Sequence, residues 1–183
     1  MTVTETITAA NSTQDDFYHE AAATYGAALE RLARAYEADP DLRRDLLQEI
    51  HIALWRSFEG FDQRCSLRTW VYRVAHNVSV SHVLRQRRAR SHALAGLDEL
   101  ENLPDPDEGQ ASADRSHALE RLLNLIQSLK PLDRQVILSY LEGLDAASIA
   151  EITGLSAGNV ATKIHRIKNM LVRRFHTGGQ DAE

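Results

Sequence analysis

The 183-residue chain has a single cysteine, Cys65, which excludes an internal disulfide and any zinc site built on several cysteines. A reducing, cytoplasmic setting fits that scarcity. Only four prolines and nine glycines interrupt the chain, and the stretches between them are rich in Ala, Leu, Arg and Glu, which are at ease in helices. That composition argues for an all-α protein. No apolar run approaches the roughly 18–20 residues of a membrane span, so no membrane insertion is expected. Residues 1–14 are Thr-rich and lack an apolar core, so they are no secretory signal and are expected to be disordered. The eight histidines show no paired ligand spacing, and Cys65 has no evident base nearby. No metal, cofactor or catalytic constellation follows from such a pattern, and the chain does not read as an enzyme.

Charge is what the chain has in abundance, and it is unevenly placed. The net charge of −5 alone would argue against a nucleic-acid partner. Yet Arg64 to Arg90 holds seven arginines and no acid, and Ile152 to His176 holds five basic residues and no acid. Asp98 to Glu120, between them, carries eight acids against Arg115. Surfaces attract partners through local charge, within a Debye length of roughly 8–10 Å. One basic run is commonly a solvated helix face. Two in an acidic protein offer two places for a polyanion.

Hydrophobic spacing divides the chain. A helix over Asp15–Tyr36 buries Leu29, Leu32, Ala33 and Tyr36. Asp39 can cap the next and Pro40 suits its first turn; Leu42, Leu46, Leu47, Ile50, Leu54 and Phe58 follow, stopped by Gly60. A loop, Phe61–Ser66, leads to a third helix from about Leu67 to Arg88, with a buried stripe of Trp70, Val71, Val74, Val78 and Val83 or Leu84. These three helices make a first unit over residues 15–90. Residues 91–115 read as an acidic, extended linker around Pro104-Asp105-Pro106. A second, four-helix unit spans residues 116–176, with stripes of Leu119, Leu122, Leu123, Ile126 and Leu129 and of Leu132, Val136, Ile137, Tyr140 and Leu141. Residues 177–183 are an expected disordered tail.

The last two helices, Ala146–Thr153 and Ala157–Phe175, read as a helix-turn-helix. Gly154 suits the left-handed turn, Leu155 plugs it and Ser156 can cap the following helix. Val160, Ile164, Ile167 and Leu171 form the inner stripe of that helix. Thr162, His165, Arg166 and Asn169 lie outside it, flanked by Lys163 and Lys168. Such a face enters the DNA major groove, where arginine can read guanine. In the third helix, Arg68, Arg73, Asn77, Arg85, Arg87 and Arg88 lie among Phe61, Trp70 and Tyr72, a mixture suited to an unpaired strand.

Residues Asp45-Leu46-Leu47-Gln48-Glu49-Ile50, Leu54-Trp55 and Phe61 through Asn77 resemble region two of extracytoplasmic-function sigma factors. Ser128 through Val136, Ile149 through Ser156, then Val160 and His165-Arg166 resemble region four, in the family's order. The resemblance implies a factor that carries core RNA polymerase to promoters. Asp45, Gln48 and Glu49 would dock on the β′ clamp helices, and region four would meet the β flap. Phe61, Arg64, Ser66, Arg68, Arg73, Asn77, Arg85, Arg87 and Arg88 would serve the minus-ten element, the loop by capturing a flipped base. Ser156, Asn159, Thr162, Lys163, His165, Arg166 and Lys168 would serve the minus-thirty-five element. The linker would run through the RNA exit channel, and an anti-sigma factor is an implied partner. Gln63 stands where glycine is common, Cys65 where serine is common, His76 for a frequent arginine, and Ala161 for a frequent Lys or Arg. The promoter sequence therefore does not carry over. The competing reading is an autonomous helix-turn-helix regulator, which explains residues 128–175 but not the Arg- and aromatic-rich third helix.

Overall fold

A computed structural model describes the backbone of residues 3–94 and 112–177, and the side chains of residues 13–89 and 117–175. Seven α-helices are described: α1 (Val3–Tyr36), α2 (Pro40–Ser57), α3 (Leu67–Leu94), α4 (Ser112–Gln127), α5 (Pro131–Leu141), α6 (Ala146–Thr153) and α7 (Ala157–Thr177), with a 3-10 turn at Phe58–Gly60 after α2. No strand occurs among the described residues.

Local chemistry sets most boundaries. Asp39 Oδ1 accepts from the amides of Asp41 (2.9 Å) and Leu42 (3.0 Å), and Pro40 opens α2 where an amide hydrogen would be idle. Pro131 opens α5 in the same way, and Gly143 at φ 77° follows its end. Helix α1 begins at Val3, well before the expected start near Asp15. Gln14 is buried and donates from Nε2 to the Trp55 carbonyl at 2.7 Å, and Asp15 accepts from Trp55 Nε1 at 2.7 Å. Once that turn is anchored, further residues extend a helix without a second nucleation cost. The α3 and α4 ends also reach into the expected linker; residues 95–111 and 178–183 lie outside the described residues.

Helices α1 to α3 form one unit. Its core joins Leu29, Leu32, Leu46, Ile50, Leu54, Phe58 and Val71, all nearly inaccessible, each aliphatic burial contributing about 1.5–3 kcal/mol. Helices α4 to α7 form the other, around Ile126, Val136, Ile137, Ile149, Val160 and Ile167.

Three expected stripes are corrected in part. In α3 Val71 is buried as expected, together with Thr69, Tyr72, Ala75, His76, Ser79 and His82, whereas Trp70, Val74, Val78 and Val83 are half-buried and Leu84 is exposed. In α5 the buried run is Asp133 to Ser139, and Leu132, Tyr140 and Leu141 are exposed; in α4, Leu119 is exposed. The reason is common to α3 and α5: the second unit packs against the first, so both helices are covered on more than one side.

Polar groups line the seam. The Arg31 guanidinium grips the Glu142 carboxylate with both ends (2.9 and 2.8 Å), the Tyr72 hydroxyl donates to the same carboxylate (3.1 Å), and Arg68 donates to the Glu142 carbonyl. His76 is hydrogen-bonded to Tyr36 at 3.0 Å through Nδ1 and to Ser139 at 3.0 Å through Nε2. A neutral ring can donate at one nitrogen and accept at the other, and burial drives its pKa down to about 3. Burial opposes the charge on Glu142, but the bonds from Arg31 and Tyr72 outweigh it and hold the carboxyl below its ordinary range.

Candidate nucleic-acid interface

In the first unit, the 3-10 turn and the loop to α3 set Phe61 among aromatics. Its ring lies 5.0 Å from Trp70, 5.2 Å edge-on from Phe17 and 5.9 Å from Phe58. Phe61 is thus half-buried packing as much as a surface for a base. Gln63 follows with φ 58°, in the left-handed region. Arg64 is exposed and pairs with Asp62 at 3.0 Å. Ser66 caps α3: its hydroxyl accepts from the Thr69 amide at 3.1 Å and bonds the Thr69 hydroxyl at 2.9 Å. Its side chain is therefore committed to the helix start.

Arg73 lies with its guanidinium carbon 4.5 Å from the centre of the Trp70 ring, whose indole donates to Ser57 Oγ at 2.9 Å. The fixed ring holds the guanidinium by cation–π attraction. Asn77, Arg87 and Arg88 are exposed. Arg68 is turned into the seam, and Arg85 bonds Glu49, which joins an expected DNA contact to an expected polymerase contact.

Between this loop and the second unit lies a cleft of about 600 Å³. Phe17, Glu20, Phe61, Arg64 and Ser66 line one side, and Ser148 and Glu151 of α6 line the other.

On α2, Asp45 and Gln48 are exposed and Glu49 is partly so. Ile52 (44% exposed) and Trp55 (42% exposed) continue the same face at helical spacing. The sequence reading did not assign these two a role. The signal available in the sequence is the spacing from Gln48 to Ile52 to Trp55, which puts both apolar residues opposite the buried stripe of Leu46, Ile50 and Leu54.

The helix-turn-helix follows its sequence closely. Asp145 caps α6 by accepting from the Ser148 amide at 2.7 Å, Gly154 takes φ 73°, and Ser156 Oγ accepts from the Asn159 amide at 3.3 Å. Val160 and Ile167 are fully buried and Leu171 nearly so; Ile164 is half-buried. Asn159, Thr162, His165, Arg166 and Lys168 lie on the exposed side. Thr162 returns its hydroxyl to the Gly158 carbonyl (3.0 Å), His165 bonds Asn169 (3.0 Å), and the Lys168 ammonium rests 5.3 Å from the centre of the Tyr140 ring. Lys163 and Arg166 share the Asp133 carboxylate at 2.5 and 3.1 Å. α7 thus shows an outer face with cations and no carboxylate of its own.

Among the described residues, no cluster of His, Cys, Asp and Glu could hold a metal ion, and no helix is long and apolar enough to cross a membrane.

Comparison with known proteins places these units. Residues 21–89 match Sigma-70 region 2, and residues 119–171 match Sigma-70, region 4. The chain is 31% identical over 142 residues to the ECF RNA polymerase sigma-E factor of Haemophilus influenzae, covering 72% of this chain and 73% of the relative. It is 24% identical to the ECF RNA polymerase sigma factor SigW of Bacillus subtilis, over 79% of this chain and 78% of SigW. Among solved structures, the fold is similar to the sigma factor RpoE in its complex with the anti-sigma factor NepR from Bartonella quintana, with TM-score 0.66, 21% identity and coverage of 88% and 97% of the two chains. CnrH in complex with the cytosolic domain of CnrY gives TM-score 0.64, 21% identity and coverage of 93% and 94%.

Proposed function

Because the chain belongs to the extracytoplasmic-function family of RNA polymerase sigma factors, which bind core polymerase and direct it to promoters, we propose that it divides this work between its two helical units. The outer face of α2, with Asp45, Gln48 and Glu49 joined by Ile52 and Trp55, docks on the β′ clamp helices. The two apolar side chains beside the polar ones give that contact a part that is desolvated on docking. The loop 61–66 captures a base of the minus-ten element. Arg73, held over Trp70, and Asn77 follow the strand, and Arg85, Arg87 and Arg88 meet duplex phosphates upstream. α7 enters the major groove of the minus-thirty-five element with the region-four unit carried on the β flap. The protein acts in the cytoplasm by binding, without chemistry of its own, and an anti-sigma factor is its expected antagonist.

The observation that carries the reading is that the acid-free stretches fold into separate surfaces, one on α3 and its loop and one on α7. Such a pair engages two promoter elements at once, and the tether raises the effective concentration of the second contact after the first. Arg68 and Tyr72 are engaged by Glu142, and Ser148 and Glu151 of α6 form one wall of the open cleft. A strand that reaches Arg68 and Tyr72 therefore displaces the second unit, and polymerase contacts must offset the lost seam. The free protein accordingly binds promoter DNA poorly, and tight sequence-specific gel shifts without polymerase would contradict this.

The test is transcription by core polymerase plus this protein on a genomic promoter library. Transcripts from a defined subset of templates are expected. If core polymerase ignores the protein and starts no transcripts with it on any template, the reading is wrong.

A further inference from the structure

Asp133 belongs to the first turn of α5, but both of its carboxylate oxygens are taken by α7. Oδ1 accepts from Lys163 Nζ at 2.5 Å and Oδ2 from Arg166 Nη2 at 3.1 Å. The Asp133 side chain is only 13% exposed, so the contact is sheltered. The two cations lie three residues apart and so share a helix face. They differ in what remains available: the Arg166 side chain is 65% exposed and that of Lys163 25%. A guanidinium has five N–H donors in a rigid plane, so Arg166 can give one terminal nitrogen to Asp133 and keep other donors for a further partner.

We propose that Asp133 is a positioning residue that sets the base selectivity of α7, by fixing the plane of Arg166 for guanine and by withholding Lys163 from phosphate. This rests on the reading that α7 enters the major groove. An unsupported arginine on a helix surface samples many rotamers and accepts a phosphate as readily as a base. Pinned at one nitrogen, it presents a defined edge, and two parallel hydrogen bonds to guanine O6 and N7 require such an edge. The carboxylate acts on affinity in the opposite sense. It offsets one positive charge of the face and so weakens sequence-independent attraction to DNA. Removing it therefore lowers selectivity while leaving non-specific binding equal or stronger. Loss of a merely structural contact would lower both.

The experiment uses the full-length chain with core polymerase on a template library randomised across the upstream element, comparing wild type, Asp133→Asn, Arg166→Ala and the double variant, with binding to a scrambled duplex measured beside it. Asp133→Asn is expected to lose about tenfold of the preference at the base pair that Arg166 reads, the scale of one bidentate contact. Scrambled-duplex binding should hold or tighten, and Asp133→Asn should cost nothing more in the Arg166→Ala background. Asp133→Glu should restore part of the preference. Arg166→Lys leaves Asp133 a cation to pair with but removes the fork, so it should reproduce the selectivity loss even if Asp133→Asn folds poorly. A wild-type base profile in Asp133→Asn, a loss that adds fully to that of Arg166→Ala, or a parallel fall in scrambled-duplex binding would each overturn the proposal. Active transcription by the wild type with no upstream preference would instead overturn the groove reading beneath it.

Discussion

His76 shows how one side chain ties the two units to solution conditions. Its ring is fully buried and bonded on both nitrogens, and burial holds its pKa near 3 against 6.5 for a free imidazole. On unfolding it regains the ordinary value. Between these two values the unfolded chain binds a proton that the folded chain refuses. The stability contribution is therefore complete above about pH 6.5 and falls as pH drops, by about 1.4 kcal/mol per unit. From pH 7 to pH 5 a loss of about 2 kcal/mol is expected from this group, read as the wild-type profile in urea minus that of His76→Gln. Parallel profiles would contradict it. Gln63 offers a second residue-scale test. At φ 58° it bears a strain that glycine does not, commonly about 1–2 kcal/mol, set against about 0.5–1 kcal/mol for glycine's greater unfolded freedom. Gln63→Gly should thus raise stability by about 0.5–1 kcal/mol, measured by denaturant midpoint at unchanged slope.

At the scale of elements, the helix-turn-helix is the most self-sufficient part of the chain. Its turn, second cap and inner stripe act within a few residues, so Gly154, Ser156 and the Val160–Leu171 stripe could be placed from the sequence and are found so, and the structure adds Asp145 as the cap of α6. Space around Gly154 is open, so a substitution there meets backbone strain alone. Gly154→Ala is expected to cost about 0.5–1 kcal/mol, the left-handed strain less the unfolded freedom that alanine lacks, visible as a lower thermal midpoint. A neutral result would mean that the turn relaxes out of the left-handed region. Helix α3 behaves differently. Its apolar residues point to a stripe through Trp70, Val71, Val74, Val78 and Val83 or Leu84; of these Val71 is fully buried, but burial otherwise runs through Tyr72, His76, Ser79 and His82. Each of these polar groups is satisfied by a partner: Glu142, Tyr36 with Ser139, the Ala75 carbonyl, and Glu37. Hydropathy alone reads such a face as solvent-facing.

At the scale of the whole molecule, the seam decides which candidate residues are free. Glu142 is its hub, gripped by Arg31 and Tyr72 with its carbonyl on Arg68. Arg31 is 61% exposed, so solvent screening discounts the pair, and Glu142→Ala is expected to weaken the closed form by about 1–2 kcal/mol. Glu142→Lys, facing two arginines, should open it further. Small-angle scattering of the free protein would show a larger radius in both variants with helix content unchanged; an unchanged radius would mean that the apolar contacts suffice.

The sequence by itself determined the helices, their caps, the two units and the cationic character of α3 and α7, because each follows from neighbours within one or two turns. It also marked Arg73, Asn77, Thr162 and Arg166 as surface groups. What only the tertiary structure decided is which polar groups turn inward: Arg68 and Tyr72 toward Glu142, His76 toward Ser139, Asp133 toward Lys163 and Arg166. These partners lie 30 to 74 positions apart. A hydrogen bond closed over such a distance leaves no periodic trace along the chain, because it is packing of whole helices that brings its two ends together.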